Sequence, residues 1–162
     1  RGIMEDVGIS HVTDPFRVMP AYTGTVAYFR LHGLGKRMYY YQYTDIELEE
    51  LYSKIRSFDS FHREVYVLFN NLSMFQDARR FSHFLERGEF PNLTGYTGLD
   101  SVKVVIENAG YPITKSTLLK KLGWRVVDIE NGKQVRLEEL LSGLPTRKYE
   151  DAEDVVIEIR AV

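Results

Sequence analysis

Apolar positions follow two rhythms along the first half of this chain. Residues 25–33, TVAYFRLHG, and 64–71, EVYVLFNN, are runs of apolar, β-branched and aromatic residues closed by Gly or Asn. That is the pattern of strands buried on both faces of a parallel sheet. Between them Leu48, Leu51, Tyr52 and Ile55 recur at helical spacing, and Thr44 with Glu47 three residues on forms a capping box that starts the helix. After the second run, Ser73 and Gln76 form a similar pair, followed by the stripe Phe75, Ala78, Phe81 and Leu85 and the stop Gly88. Upstream, Ile3, Met4 and Val7 sit at helical spacing before Gly8, and the short apolar segment Ile9 to Thr13 runs into Asp14-Pro15. The order strand, strand, helix, strand, helix predicts βαβ units around a parallel sheet.

Residues 89–98, EFPNLTGYTG, hold one Pro and two Gly and keep no period, so a linker is predicted there. The region 99–162 has shorter elements. A helix is predicted from Asp100 to Ala109, stopped by Gly110, then a turn and cap through Tyr111-Pro112-Ile113-Thr114. Short helices follow around Leu118, Leu119 and Leu122 and around Leu137, Leu140 and Leu141. Between these, Trp124 to Val127 is read as extended and Asn131-Gly132 as a hairpin turn. The last segment, from Asp151 to Arg160, alternates like a strand but starts with acids, and is read as a helix.

Composition narrows the class. Among 162 residues 44% are hydrophobic and 27% charged, outside the disordered, collagenous and coiled-coil ranges. Cys is absent, so disulfides and thiolate metal sites are excluded. No apolar run reaches the ~20 residues of a membrane span, and the opening RGIMEDVGIS has no signal-peptide layout. The expected location is the cytoplasm, with no membrane partner. Basic and acidic residues number 21 and 23, a net charge of −2, so no global field draws the chain to nucleic acid. It begins at Arg1 on what reads as a helix end, and is expected to be a fragment, a processed product or part of something longer.

Three linked segments carry a resemblance. Tyr28-Phe29-Arg30-Leu31-His32-Gly33, then Tyr41-Gln42-Tyr43-Thr44-Asp45 leading to Glu47-Leu48, then Val65-Tyr66-Val67-Leu68-Phe69-Asn70-Asn71 resemble, in order and spacing, the C-terminal part of the YecE-like family, also called domain of unknown function 72. The resemblance covers about residues 1–88 and departs from the family at Gly33-Leu34, where the usual step is Gly-Arg. It implies an α/β fold: the last three βα units of a TIM barrel, followed here by a small mainly helical domain. Three units cannot close an eight-stranded barrel. The implied partner is therefore the missing N-terminal half of the barrel or a second copy. The tail, through Tyr111-Pro112, Lys115, Leu118-Leu119, Leu144-Pro145, Tyr149 and Asp154-Val155, is similar to the short helical domain of unknown function 2795, with residues 124–134 as an insertion. Neither resemblance implies a reaction.

Alternation places Tyr28, Arg30 and His32 on one face of the first strand and Ala27, Phe29 and Leu31 on the other. In a TIM barrel, polar residues at the C-terminal ends of strands line the active site. Arg30, His32 and Asn71 are the candidate catalytic residues: His32 as general acid–base, Arg30 as anion clamp, Asn71 as orienting donor. Asp14 and Asn70 lie at the same ends and are candidate substrate contacts. Gly33-Leu34-Gly35-Lys36-Arg37 offers close backbone approach and two cations to an anion such as a phosphate ester, against the ordinary alternative of a solvated loop. Tyr39, Tyr40, Tyr41 and Tyr43 either stack on a ring ligand or pack under the helix; Tyr43 is the candidate binding residue. His11, His62 and His83 show no metal-ligand spacing, no metal is expected, and no pattern names a cofactor. An alternative function lies in the tail, where Lys115, Lys120, Lys121 and Arg125 give residues 108–127 a local charge of +4 and could hold nucleic-acid phosphates. Five acids within 149–159 could neutralise that patch.

Overall fold

Two parallel strands and the helices that cover them organise the first half of the chain. The computed structural model describes residues 2–59, 64–130 and 132–161 and divides the chain into two units, Arg1–Gly88 and Glu89–Val162. The first opens with the short helix α1 (Gly2–Asp6). It continues through β1 (Val26–Leu31), α2 (Asp45–Asp59), β2 (Glu64–Phe69) and α3 (Met74–Arg87). β1 and β2 pair in parallel from Val26 opposite Glu64 to Leu31 opposite Phe69. Each strand is six residues where the apolar runs predicted eight or nine.

The fold is mixed α/β with a two-stranded parallel pair, and the third predicted strand is a single bridge. Thr13 pairs in parallel with Phe29, and the Arg30 amide donates to Thr13 O at 2.9 Å. Nearer the N-terminus, the His11 amide turns instead to Tyr22 O, and Ser10 Oγ donates to Val26 O. The loop after Asp14 thus folds back and takes the partners that a strand ladder would need.

The strands are also not dry on both faces. Ala27, Phe29 and Leu31 are fully buried, with Phe29 edge-on to Phe58 of α2 and Phe69 edge-on to Phe81 of α3. On the opposite face Arg30, Tyr66 and Leu68 are exposed. The helices of this unit cover one side of the pair.

α2 forms as its sequence predicts. The Glu47 amide donates to Thr44 Oγ1 at 3.2 Å and the Thr44 amide to Glu47 Oε2 at 2.8 Å. Leu48, Leu51 and Ile55 are buried. Burying each contributes roughly 1.5–3 kcal/mol against about 1 kcal/mol for the cap, so packing decides this helix.

α3 does not follow its stripe. It buries Asp77, Arg80 and Phe81, while Phe75, Ala78 and Leu85 are exposed. Asp77, Arg80, Phe81 and Phe84 are spaced as helically as the apolar set, and partners for the charged pair lie on the inward side. Ser73 caps without a side-chain hydrogen bond, its backbone at φ −94° and ψ 15° instead of the extended conformation usual for an N-cap, and the Gln76 side chain accepts from Gln42 Nε2.

The second unit holds α4 (Gly98–Ile106), β3 (Ile113–Thr114), α5 (Lys115–Leu122), β4 (Val126–Glu130), β5 (Lys133–Arg136), α6 (Leu137–Ser142), β6 (Lys148–Tyr149) and α7 (Ala152–Ala161). Two small antiparallel sheets, β3 with β6 and β4 with β5, therefore accompany the expected helices. Asn131 of the predicted hairpin turn lies outside the described residues; Gly132 has φ +75°. Val102, Ile106, Leu118, Val127, Leu137, Leu141, Tyr149 and Val155 share one core. The predicted linker residues belong to this unit: the Leu93 amide donates to the buried Asp128 carboxylate at 2.7 Å, and Thr94 Oγ1 to Ser101 Oγ at 3.1 Å. No helix among the described residues is long and apolar enough to cross a membrane.

Candidate functional site

Parallel register brings the polar ends of β1 and β2 to one edge. The Asn70 amide donates to Leu31 O at 2.7 Å, which prolongs the pairing so that His32 and Asn70 leave the strands side by side. Arg30 Nη2 reaches Asn70 Oδ1 at 3.5 Å on the open face. Asp14, just after the Thr13 bridge, is buried against the same edge. Its Oδ1 accepts from the Phe16 amide and its Oδ2 from the His32 amide, both at 3.1 Å. Arg17 Nε lies 3.8 Å from Oδ2, and its Nη2 donates to Gly33 O. Two amides and a guanidinium thus compensate a carboxylate that would be costly to bury alone.

The His32 ring is 29% exposed, with Nδ1 3.7 Å from Asp14 Oδ2. That is too long for a hydrogen bond but places the ring edge against the carboxylate. Nε2 has no partner among the described residues. The Tyr39 ring flanks the imidazole at 6.1 Å between centroids. Asp14, Arg30, His32 and Asn70 are therefore brought together, and Arg17 and Tyr39 join them. Arg17 stands three residues after Asp14 in the Asp14-Pro15 turn, a spacing that could have flagged it.

Asn71 is placed elsewhere. It is buried, with Nδ2 donating to Tyr41 O at 2.8 Å and to Asp77 Oδ2 at 2.7 Å, so its amide nitrogen ties the loop before α2 to α3. Arg80 completes this inner cluster. It donates to Tyr43 O at 2.7 Å and pairs with Asp77 and Asp45. The Asp77–Arg80 pair escaped the sequence reading because it hides as an ordinary i, i+3 surface pair.

Tyr43 is also core. Its ring packs on Phe16, Tyr41 and Phe69, and its hydroxyl accepts from the Gly33 amide at 2.9 Å. Burial pushes its ionisation above the ordinary tyrosine range. Gly33, at φ +90°, has a bare Cα because a Cβ would lie 2.4 Å from Tyr41 Cβ; Gly35 lies against the same ring. The glycines thus serve aromatic packing, and the Gly33 amide is already engaged. Lys36 and Arg37 are exposed, with the Arg37 guanidinium 3.1 Å from the centre of the Tyr40 ring.

The tail cations do not converge as a patch of open charges. Lys115 Nζ donates to Ser142 O and Leu144 O, closing the end of α6, and Lys121 Nζ donates to Ala109 O after α4. Lys120 is exposed, and Arg125 lies over Trp124 at 5.4 Å. The acids of 149–159 pair with other bases: Arg147 holds Asp154 and Glu158, and Lys103 holds Glu153. No group of three or more His, Cys, Asp or Glu among the described residues could hold a metal ion. His11 Nδ1 accepts from the Ala21 amide, and His62 lies outside the described residues.

Comparison with known proteins finds two family matches that meet between residues 94 and 98. Residues 98–162 match the family described as "Family of unknown function (DUF5789)", so the tail is a separate small family domain, under a description other than domain 2795. No curated protein matches the chain, and no solved structure does. Residues 3–94, more than half of the chain and all three of the segments that resemble the YecE-like family, match "Protein of unknown function DUF72"; the chain belongs to the DUF72 family.

Proposed function

We propose that the strand-end cluster Arg30, His32, Asp14 and Asn70 binds a small anionic substrate, such as a phosphate ester, at the mouth of a TIM barrel, and acts on it as an enzyme. The observation that carries this reading is the Asp14–His32 pair standing beside Arg30 at one C-terminal strand edge. A buried carboxylate next to an accessible imidazole with an uncommitted Nε2 is the arrangement of a general acid–base, and the neighbouring guanidinium suits an anion. Lys36 and Arg37 add positive charge on the adjoining loop. The open face carrying Tyr28, Arg30, Tyr66 and Leu68 is the lumen side of that barrel, covered by further strands outside these 162 residues; a second copy of the chain is the alternative cover. Sedimentation of the complete protein separates the two.

The test is ligand-induced stabilisation. Phosphorylated metabolites should raise the melting temperature of the complete protein, and Arg30→Ala and His32→Ala should reduce that rise. Thermal shifts that are the same in wild type and both variants would remove the reading. A nucleic-acid- or protein-binding role for the tail has less support, since the Lys115 and Lys121 ammonium groups close carbonyls.

A further inference from the structure

Tyr39 has a positive φ, +69°, and is the single non-Gly residue with one among the described residues. A bulky side chain is rarely found there, because Cβ crowds the following carbonyl. The strain is held by specific bonds. Tyr39 O accepts from the Tyr41 amide at 3.0 Å and from the Leu72 amide at 2.8 Å, and the Tyr39 amide faces His32 O at 3.3 Å. One strained residue therefore ties the loop after β1 to the loop after β2.

Its ring is left only partly covered. Tyr39 is 42% exposed, whereas Tyr41 and Tyr43 are core. The ring stands beside His32, tilted 49° from the imidazole, so the two rings form an angled wall and do not cover each other. A strained residue whose side chain stays half exposed next to a polar edge is what a ligand contact looks like.

We propose that Tyr39 and His32 form a wall for a ring, and that the anion at Arg30 is a phosphate carried on that ring. This rests on the anion-binding reading above and names its substrate class: a ring-bearing phosphate monoester. Arg30 and His32 are two residues apart on one strand face, roughly 6.6 Å, about the reach from a phosphate to the ring it is joined to through one methylene. The apolar face of a sugar and the π-face of a base both suit a tyrosine ring.

The experiment is calorimetric titration of the complete protein with inorganic phosphate, glycerol 3-phosphate, glucose 6-phosphate and adenosine 5′-monophosphate. Ring-bearing esters should bind about tenfold tighter than the two ringless probes, and the better of glucose 6-phosphate and adenosine 5′-monophosphate identifies the ring. Tyr39→Ala and Tyr39→Gly should abolish that preference while leaving phosphate binding unchanged, and Tyr39→Phe should keep it. Tyr39→Gly also relieves the backbone strain, so its melting temperature should be equal to or above wild type, which separates loss of contact from loss of fold. Binding that depends on Arg30 but shows no ring preference, or a preference that survives Tyr39→Gly, overturns this inference and leaves the anion site standing. Failure of all four probes to bind overturns both.

Discussion

Replacing Gly33 by Ala tests whether a bare Cα at the end of β1 is what lets the loop close. Two costs follow from the structure. At φ +90° an L side chain costs ~1–2 kcal/mol in the backbone alone. The new Cβ would also lie 2.4 Å from Tyr41 Cβ and 2.9 Å from its Cγ. Relieving such overlap in a packed region costs ~1–3 kcal/mol, so the sum is about 2–5 kcal/mol. For a unit of this size that lowers the melting temperature by roughly 10 °C or more. Gly88→Ala is the matched control, since Gly88 has φ +77° but nothing within 4 Å of the position a Cβ would take; it carries the backbone cost without the overlap.

Circular dichroism of the complete protein in thermal and urea melts measures both variants. Fluorescence of Trp124, the one tryptophan, follows the second unit as an internal control. Because the clash is with Tyr41 Cβ, Tyr41→Ala cannot relieve it, whereas Tyr41→Gly in a double-mutant cycle should. If Gly33→Ala is no worse than Gly88→Ala, the account of Gly33 as a packing residue is wrong.

Three further outcomes are expected. Asp77→Ala strips a buried guanidinium of one carboxylate and should destabilise the first unit by about 3 kcal/mol; adding Arg80→Met should cost less than the sum of the single changes, measured by urea denaturation. Arg147 holds the Asp154 carboxyl below its ordinary range. A depressed carboxyl stabilises above its unfolded pKa, and that contribution is lost as pH falls through the folded value. The second unit should therefore weaken below about pH 4, and Asp154→Asn should flatten this acid limb of the Trp124 melting profile. Burial, aided by Asp151, pushes the Tyr111 phenol up to about 12. Its contribution is complete below about pH 10 and is lost as pH climbs from about 10 to about 12, so Tyr111→Phe should lessen the alkaline loss of second-unit stability.

Local chemistry was legible where one segment decides its own structure. The Thr44–Glu47 cap, the α2 stripe and the end of α3 at Gly88 need only short-range geometry, and the alternation of β1 correctly put Arg30 opposite Phe29; α4 ends at Ile106, short of the Gly110 read as its stop. Where two segments compete for the same polar groups, the pattern misleads. α3 has two helical stripes that share Phe81, and what chose between them is the carbonyl of Tyr43 and the carboxylate of Asp45, distant in sequence. Asn70 and Asn71 are adjacent and alike, yet alternation sends one to Arg30 and the other to the Asp77 cluster. The glycines of the 33–37 loop have the composition of an anion cradle, and only the position of Tyr41 shows that their lack of side chains is used for packing. Lys115 and Lys121 count as charge in a sequence, while in the structure they terminate helices.

The tie between Leu93 and Asp128 bears on where this chain can be cut. The family matches meet between residues 94 and 98, which invites excision of the tail at 98 or 99, yet the physical unit starts at Glu89. A tail begun at 99 would take the Leu93 amide from the buried Asp128 carboxylate, leaving Oδ2 without that donor while Gln134 Nε2 still serves Oδ1, and would strip Thr94 from Ser101. Ancestry and mechanics set different borders here, and any transplant of the tail onto another protein should carry the ten preceding residues as its own collar.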